Sequence, residues 1–160
     1  MKMPTAPSHK PVIVSENYER VDGRLARNTD AKSLSLGLAE RNADRGAADL
    51  LAKVWGYEGD TLSEQSVELP LHRVLDLSIL ICRSLAHFRD AYRYEHLYDP
   101  QKPILDRIGL QGDAMTVAVC TGNDSIHDDI KLFSQALSDD DEMLSERLRV
   151  LSKILKDMGY

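Results

Sequence analysis

The segment PLHRVLDLSILICRSLAHFRDAYRYEHLYDP, residues 70–100, is the longest regular pattern in the chain and decides the predicted fold. Proline is tolerated in the first turn of a helix, where Pro70 lies, whereas Pro100 can only end the pattern. The segment therefore predicts one helix over about residues 70–97, which would be ~42 Å long. We expect this helix to be the centre of the fold.

Shorter patterns on either side of this helix predict a small sheet and further helices. Strands are predicted where β-branched and aromatic residues cluster, at residues 12–14, 50–60 and 114–120. Helices are predicted at residues 29–42, from the capping pattern Thr61–Glu64, and at 103–110, 124–137 and 139–158. The chain is therefore predicted to be a mainly helical α+β protein. The long helix and two C-terminal helices would pack with a small sheet of about three strands.

The length of 160 residues suits a single domain, predicted at residues 11–160 after a flexible N-terminal tail at 1–10. Cys82 and Cys120 each lie in an apolar run and lack the CxxC spacing of a zinc site, so we expect buried free thiols. The start of the chain lacks the apolar core of a secretory signal, and the longest apolar run is shorter than the ~18 residues of a membrane span. A cytoplasmic protein without a membrane span is predicted.

Negative charge is concentrated towards the C-terminal end of the chain. Residues 122–146 contain eight acids against Lys131 alone, a local charge of −7, whereas the whole chain carries −6. Such a surface repels phosphate backbones, so a nucleic-acid partner is disfavoured, while a cation or a basic protein remains compatible. The alternative is a solvated acidic face without a partner.

One face of the long helix carries a polar stripe. With about 100° between successive residues, six side chains fall in one sector: His72, Asp76, Arg83, His87, Asp90 and Tyr94. The histidines and aspartates have the spacing to orient an imidazole or to share a divalent metal, so they are candidate catalytic groups and metal ligands. Arg83 and Tyr94 could contact an anionic ligand. The alternative is a wet helix face with weak ion pairs.

The segment CTGNDSIHDD, residues 120–129, contains weaker candidate metal ligands, Asp124, His127 and Asp128. Here too a helix start explains the same residues, since Ser125 and Asp128 fit a capping pattern and acids in a first turn complement the helix dipole. No nucleotide or flavin motif occurs in the sequence. The sequence therefore identifies no cofactor, and a divalent metal is compatible with it.

The last predicted helix has an apolar seam with the 4-3-4-3 spacing of a heptad repeat: Leu144, Leu148, Leu151, Leu155 and Met158. A shared seam would make the protein a homodimer or provide a site for another protein, whereas an unshared seam would pack on the core of the same chain. The lack of recognisable catalytic motifs favours a non-catalytic binding or protein-interaction module, and a shared seam would make it a homo-oligomer. The alternative is a metal-assisted hydrolase or a small anionic-ligand pocket built on the polar stripe.

Overall fold

The computed structural model describes residues 9–15, 18–21, 31–39, 50–58, 61–62 and 67–160. Contacts divide the chain into two compact units, Met1–Ser78 and Ile79–Tyr160, and each is described separately below. The single domain predicted at residues 11–160 stays a prediction. The predicted tail at residues 1–10 lies mostly outside the described residues.

The first unit contains an antiparallel sheet. Its strands are β1 (His9–Val14), β2 (Ala31–Ala39), β3 (Leu50–Glu58), the two-residue β4 (Thr61–Leu62) and β5 (Val67–Pro70). Strands β1, β2, β3 and β5 form one four-stranded sheet in that spatial order, and β4 pairs with the end of β3. A short 3-10 helix, Tyr18–Arg20, follows β1.

One face of this sheet is buried although it is built from polar side chains. Ser33 is paired with Trp55, and Ser35 with Lys53, so the four side chains share a face, and all four are buried. The indole Nε1 of Trp55 donates a hydrogen bond of 2.8 Å to the hydroxyl of Ser35. This bond satisfies two polar groups that burial would otherwise leave without water.

Lys53 is the only charged side chain that is buried among the described residues, with 4% of its area exposed. Its Nζ lies 2.5 Å from Oε1 of Glu68 on β5 and 4.2 Å from the ring centroid of Trp55. A buried ammonium needs such a carboxylate, and an aromatic face adds further attraction.

The opposite face of the sheet is apolar and largely exposed. Ile13, Leu36, Val54 and Val67 are all exposed on it. Together with Val74 of the following helix, they line a cavity of about 530 Å³. The usual arrangement, with an apolar face inside and a polar face outside, is thus reversed in the described part of this sheet.

A long helix, α1 (Leu71–Asp90), begins in the first unit and ends in the second. It is followed by a 3-10 helix (Ala91–Arg93), the hairpin β6 (Ile104–Gly109) and β7 (Ala114–Ala118), and the helices α2 (Ile126–Asp139) and α3 (Asp141–Asp157). The buried apolar residues of this second unit are Ala91, Tyr98, Val117 and Ile130. They come from the turn after α1, from β7 and from α2.

The predicted mainly helical fold with a sheet of about three strands is wrong. The described residues form a four-stranded antiparallel sheet and, separately, a two-stranded hairpin. Two predicted helices are strands instead: residues 31–39 form β2, and residues 104–109 form β6. In both cases pairing with a neighbouring strand outweighs a weak helical pattern.

The predicted long helix ends earlier than residue 97. α1 stops at Asp90, the 3-10 helix follows, and Leu97 has a positive φ of 65°, which no α-helix contains. The helix predicted from the capping pattern at Thr61 does not begin there, because Thr61 and Leu62 form β4. Residues 63–66 lie outside the described part of the chain. The helices α2 and α3 begin and end within two residues of the predicted bounds.

Cys82 and Cys120 are free thiols, as expected, but both are exposed rather than buried. Their apolar neighbours in sequence therefore do not enclose them. In the part of the chain that the structure describes, no helix combines the length and apolar character needed to cross a bilayer.

Candidate functional site

The helix α3 leaves a row of apolar side chains exposed. None of its 17 residues is buried. On the seam, Leu151, Leu155 and Met158 have 41%, 40% and 65% of their areas exposed. A helix with a heptad repeat usually buries this face, so its exposure marks α3 as a candidate interaction surface.

The seam is anchored at its N-terminal end. Leu144 and Leu148 are half-buried and, with Leu85 and Phe88 of α1, line a cavity of about 340 Å³. From this point the helix continues for two more turns with its seam uncovered. The seam therefore lies beside α1 at Leu144 and Leu148 and is exposed from Leu151 to Met158. We call the exposed part the free half of the seam.

Two further apolar side chains widen the free half of the seam. Val150 and Ile154 are exposed beside it. Arg147 lies on the same side, but its guanidinium turns back to the carbonyl oxygen of Met143 at 3.3 Å and towards Glu146. The apolar stem of Arg147 can therefore join the seam while its charge stays in water.

A second surface of α3 faces the last turns of α1 and forms a groove of about 790 Å³ within the second unit. Its apolar floor contains Cys82, Leu85, Ala86 and Leu148, and four cations line it: Arg89, Arg149, Lys153 and Lys156. We call this cavity the basic groove. Asp157 is the single acid among its lining residues.

The four cations of the basic groove form no ion pair with any described residue. Lysines near the C-terminal end of a helix are favoured by its dipole, which accounts for part of this arrangement. The dipole does not account for Arg89, which belongs to α1 and faces the same cavity. The groove is therefore a local positive site in a chain of net charge −6.

The opposite charge collects at the other end of α3. Asp139, Asp140, Asp141 and Glu142 are consecutive and exposed, and we call them the acid tetrad. Asp139 accepts a hydrogen bond from Gln135 at 2.8 Å, and Asp141 accepts one from Ser145 at 3.2 Å.

The polar stripe predicted on the long helix divides into separate local pairs. In the first unit, Asp76 pairs with Arg73 at 3.2 Å, and His72 is exposed. In the second unit, Arg83 pairs with Asp106 of β6 at 2.6 Å. Asp76 and Arg83 thus pair with neighbours on or beside the helix.

The remaining stripe residues stabilise the turn after α1. Nε2 of His87 donates to the carbonyl oxygen of Leu97 at 2.9 Å, and the imidazole stacks on Tyr94 with 6.4 Å between ring centroids. Asp90 pairs with Arg93 at 3.4 Å. His87 and Tyr94 therefore have a structural explanation that needs no ligand.

The glycine turn before α2 brings one unexpected partner to the predicted residues. Asp124, His127 and Asp128 are all exposed. The imidazole of His127 lies 5.0 Å from that of His96 and 6.5 Å from the ring of Tyr98, measured between centroids. His96 is 31 positions earlier in the chain, so no local sequence pattern could have linked these two histidines.

Within the described residues, no three or more His, Cys, Asp or Glu side chains are grouped so that they could hold a metal ion. The candidate ligands of the polar stripe and of residues 120–129 are among these described residues.

Sequence reasoning also missed the basic groove. Its cations come from two helices that lie about sixty residues apart in the chain, and each helix alone looks like an ordinary solvated helix.

Comparison with known proteins places the chain in a family without assigning an activity. Neither a curated protein nor a solved structure matches it. The sequence model of one family, described as a family of unknown function (DUF6530), matches residues 1–160. Because that match covers the whole chain, the protein belongs to the DUF6530 family.

Proposed function

We propose that the protein is a non-catalytic, cytoplasmic interaction module that associates with a second copy of itself through the seam of α3. The observation that carries the proposal is the exposed free half of the seam, from Leu151 to Met158. Removing apolar surface from water is worth roughly 25 cal/mol per Å². Burial of the exposed seam against a partner would therefore favour association.

The spacing of the seam favours a helix as the partner. A 4-3-4-3 repeat keeps the apolar side chains on the line along which two helices can pack over several turns. A second copy presents the same line, so the contact would be isologous, as in most dimers with two-fold symmetry. No additional partner is needed to cover the surface.

Two further observations support the other parts of the proposal. The candidate ligand-binding residue Arg83 already pairs with Asp106. The candidate catalytic groups His87 and Asp90 already bond to Leu97 and Arg93. This supports a structural role for the stripe. The two cysteines are free thiols, which is typical of a reducing compartment and supports a cytoplasmic location.

The test is the molar mass in solution of the full chain and of Leu151→Glu, measured by light scattering, with circular dichroism to follow folding. We expect the unaltered chain to be a dimer and Leu151→Glu to be a folded monomer, because a carboxylate in the seam would be desolvated on association. Leu132→Glu is the matched control. Leu132 is an exposed leucine of α2 outside the seam, so this variant should remain a dimer.

Two outcomes would contradict the proposal. A monomeric unaltered chain would mean that the seam is not shared between copies. Loss of the helical circular dichroism signal in Leu151→Glu, with Leu132→Glu folded, would mean that the seam packs within its own chain.

A further inference from the structure

The basic groove is a cleft between one face of α1 and one face of α3. The α1 residues that line it have the spacing i, i+3, i+4 and i+7: Cys82, Leu85, Ala86 and Arg89. Four of the α3 residues that line it have the spacing i, i+4, i+7 and i+11: Ser145, Arg149, Ser152 and Lys156. Both helices therefore present a continuous face to the same cavity.

The groove and the seam lie on different faces of α3. At about 100° per residue, the cations that α3 contributes to the groove lie about 120–180° around the helix from the seam. The free half of the seam, with Leu151, Leu155 and Met158, does not line the groove. A second copy packed along the seam would leave the groove open, so occupation of the groove does not depend on self-association.

The charge of the groove suits a ligand with more than one anionic group. Its four cations against the single Asp157 give a local charge of +3. The acid tetrad, at the other end of α3, does not line it. All four cations are exposed, and an exposed ion pair is worth only about 0.2–1 kcal/mol. Specific binding here therefore needs several charges on one ligand.

The floor of the groove suits an apolar part of the same ligand. Leu85 and Leu148 are half-buried there, and Ala86 lies between the cations. The volume of about 790 Å³ falls in the range of sites for small organic molecules, roughly 300–1,000 Å³. A single inorganic anion would leave most of this apolar floor in contact with water. The groove therefore fits an organic anion better than an inorganic one.

The cations are distributed along the groove. Arg149 and Lys156 are seven residues apart, which corresponds to ~10 Å along the axis of α3. Arg89 also lines the neighbouring cavity with Leu144, near the start of α3, whereas Lys156 lies in the last turn. Leu85 and Leu148 line both cavities, so apolar and cationic side chains alternate along one cleft. This arrangement favours an elongated ligand.

We infer that the basic groove binds an organic molecule that carries two phosphate groups and an apolar or aromatic body. Two phosphate groups bring roughly three to four negative charges at neutral pH, which matches the local charge of +3 better than two carboxylates would. The planar guanidinium groups of Arg89 and Arg149 can each donate two parallel hydrogen bonds to phosphate oxygens. Lys153 and Lys156 add point charges, and Ser152 adds a hydroxyl group.

The test uses isothermal titration calorimetry of the full chain with ADP, which joins two phosphates to an aromatic base, and with inorganic pyrophosphate. We expect one ADP per chain, and at least about fivefold weaker binding of pyrophosphate, because pyrophosphate has no body to cover the apolar floor. Arg149→Gln combined with Lys153→Gln should weaken ADP binding about tenfold. The matched control, Lys131→Gln with Arg147→Gln, also removes two exposed cations but none from the groove, and should bind ADP as the unaltered chain does.

Four outcomes would overturn the inference. Absence of ADP binding would mean that the groove does not take this class of ligand. Unchanged ADP binding in the groove variant would place the ligand elsewhere. Equal weakening in the control variant would show an effect of net charge alone. Pyrophosphate that binds as tightly as ADP would show that the apolar floor contributes nothing.

Protection of a thiol gives a second readout if the groove variant does not fold. Cys82 is exposed and lies in the groove, whereas Cys120 is exposed and lines a different cavity. In a Cys120→Ser chain, saturating ADP should slow the reaction of Cys82 with a neutral chromogenic disulfide at least about fivefold, because access is lost. In a Cys82→Ser chain, Cys120 should keep its rate. An unchanged rate at Cys82 would overturn the inference.

Discussion

The carbonyl oxygen of Leu97 accepts a hydrogen bond from Nε2 of His87 at 2.9 Å, across ten residues of chain. Leu97 has a φ of 65°, a conformation that costs an ordinary residue about 1–2 kcal/mol. The bond therefore fixes the turn at which the chain leaves α1. It also gives the imidazole a role that differs from ligand binding.

His87→Ala should lower the free energy of unfolding by about 1 kcal/mol, the usual worth of one hydrogen bond. It should leave zinc uptake, measured by equilibrium dialysis and elemental analysis, equal to that of the unaltered chain. His72→Ala serves as the control, because the exposed His72 has no such bond to lose. Loss of bound zinc in His87→Ala would restore the metal-site interpretation of the stripe.

Glu68→Ala should destabilise the protein by about 3 kcal/mol, because it leaves the buried ammonium of Lys53 without its carboxylate. Lys53→Met should cost less, since it removes the charge and keeps the volume. Urea unfolding followed by fluorescence measures both, because Trp55 is the only tryptophan and touches Lys53. Equal losses of unfolding free energy in the two variants would show that Glu68 does not stabilise the fold by compensating the charge of Lys53.

Ile130→Ala should destabilise the second unit by about 2–4 kcal/mol, since Ile130 is 4% exposed and its truncation leaves a cavity. Leu132→Ala, two positions along the same helix, should change the free energy of unfolding by less than about 0.5 kcal/mol because Leu132 is 70% exposed. Thermal unfolding followed by circular dichroism compares the two variants. Similar losses would mean that both faces of α2 are covered.

The sequence predicted the C-terminal helices well because their patterns are local. The leucine seam and the acidic first turn lie within α3 itself, and its bounds follow from them. The strand β3 was predicted for a similar reason, since Val54, Trp55 and Tyr57 strongly favour a strand.

The error at residues 29–42 has a physical origin in β2. Leu34 and Leu38 are one helical turn apart, which suggested a helix, but serine and leucine also alternate from Ser33 to Leu36 with the period of a strand. The serines, not the leucines, turned out to be the buried set. The serines are buried because they pair with Lys53 and Trp55 across the sheet. These partners lie about twenty residues further along the chain, so the local sequence of β2 does not reveal them.

The candidate site was predicted in part. The seam of α3 can be read from one helix, whereas the basic groove exists only because α1 and α3 lie side by side in the second unit. The stripe on α1 has the spacing of a ligand set. Its residues are nevertheless paired by Asp106 and Leu97, whose positions the sequence alone does not fix.

The serine, lysine and tryptophan side chains on the buried face of the first sheet bear on how stability changes with temperature. Unfolding this layer exposes hydroxyl, ammonium and peptide groups along with one indole, rather than aliphatic surface. Polar exposure lowers the heat capacity of unfolding, whereas apolar exposure raises it. The layer should therefore contribute little to that heat capacity, which gives a flatter stability curve than an aliphatic layer of the same size would.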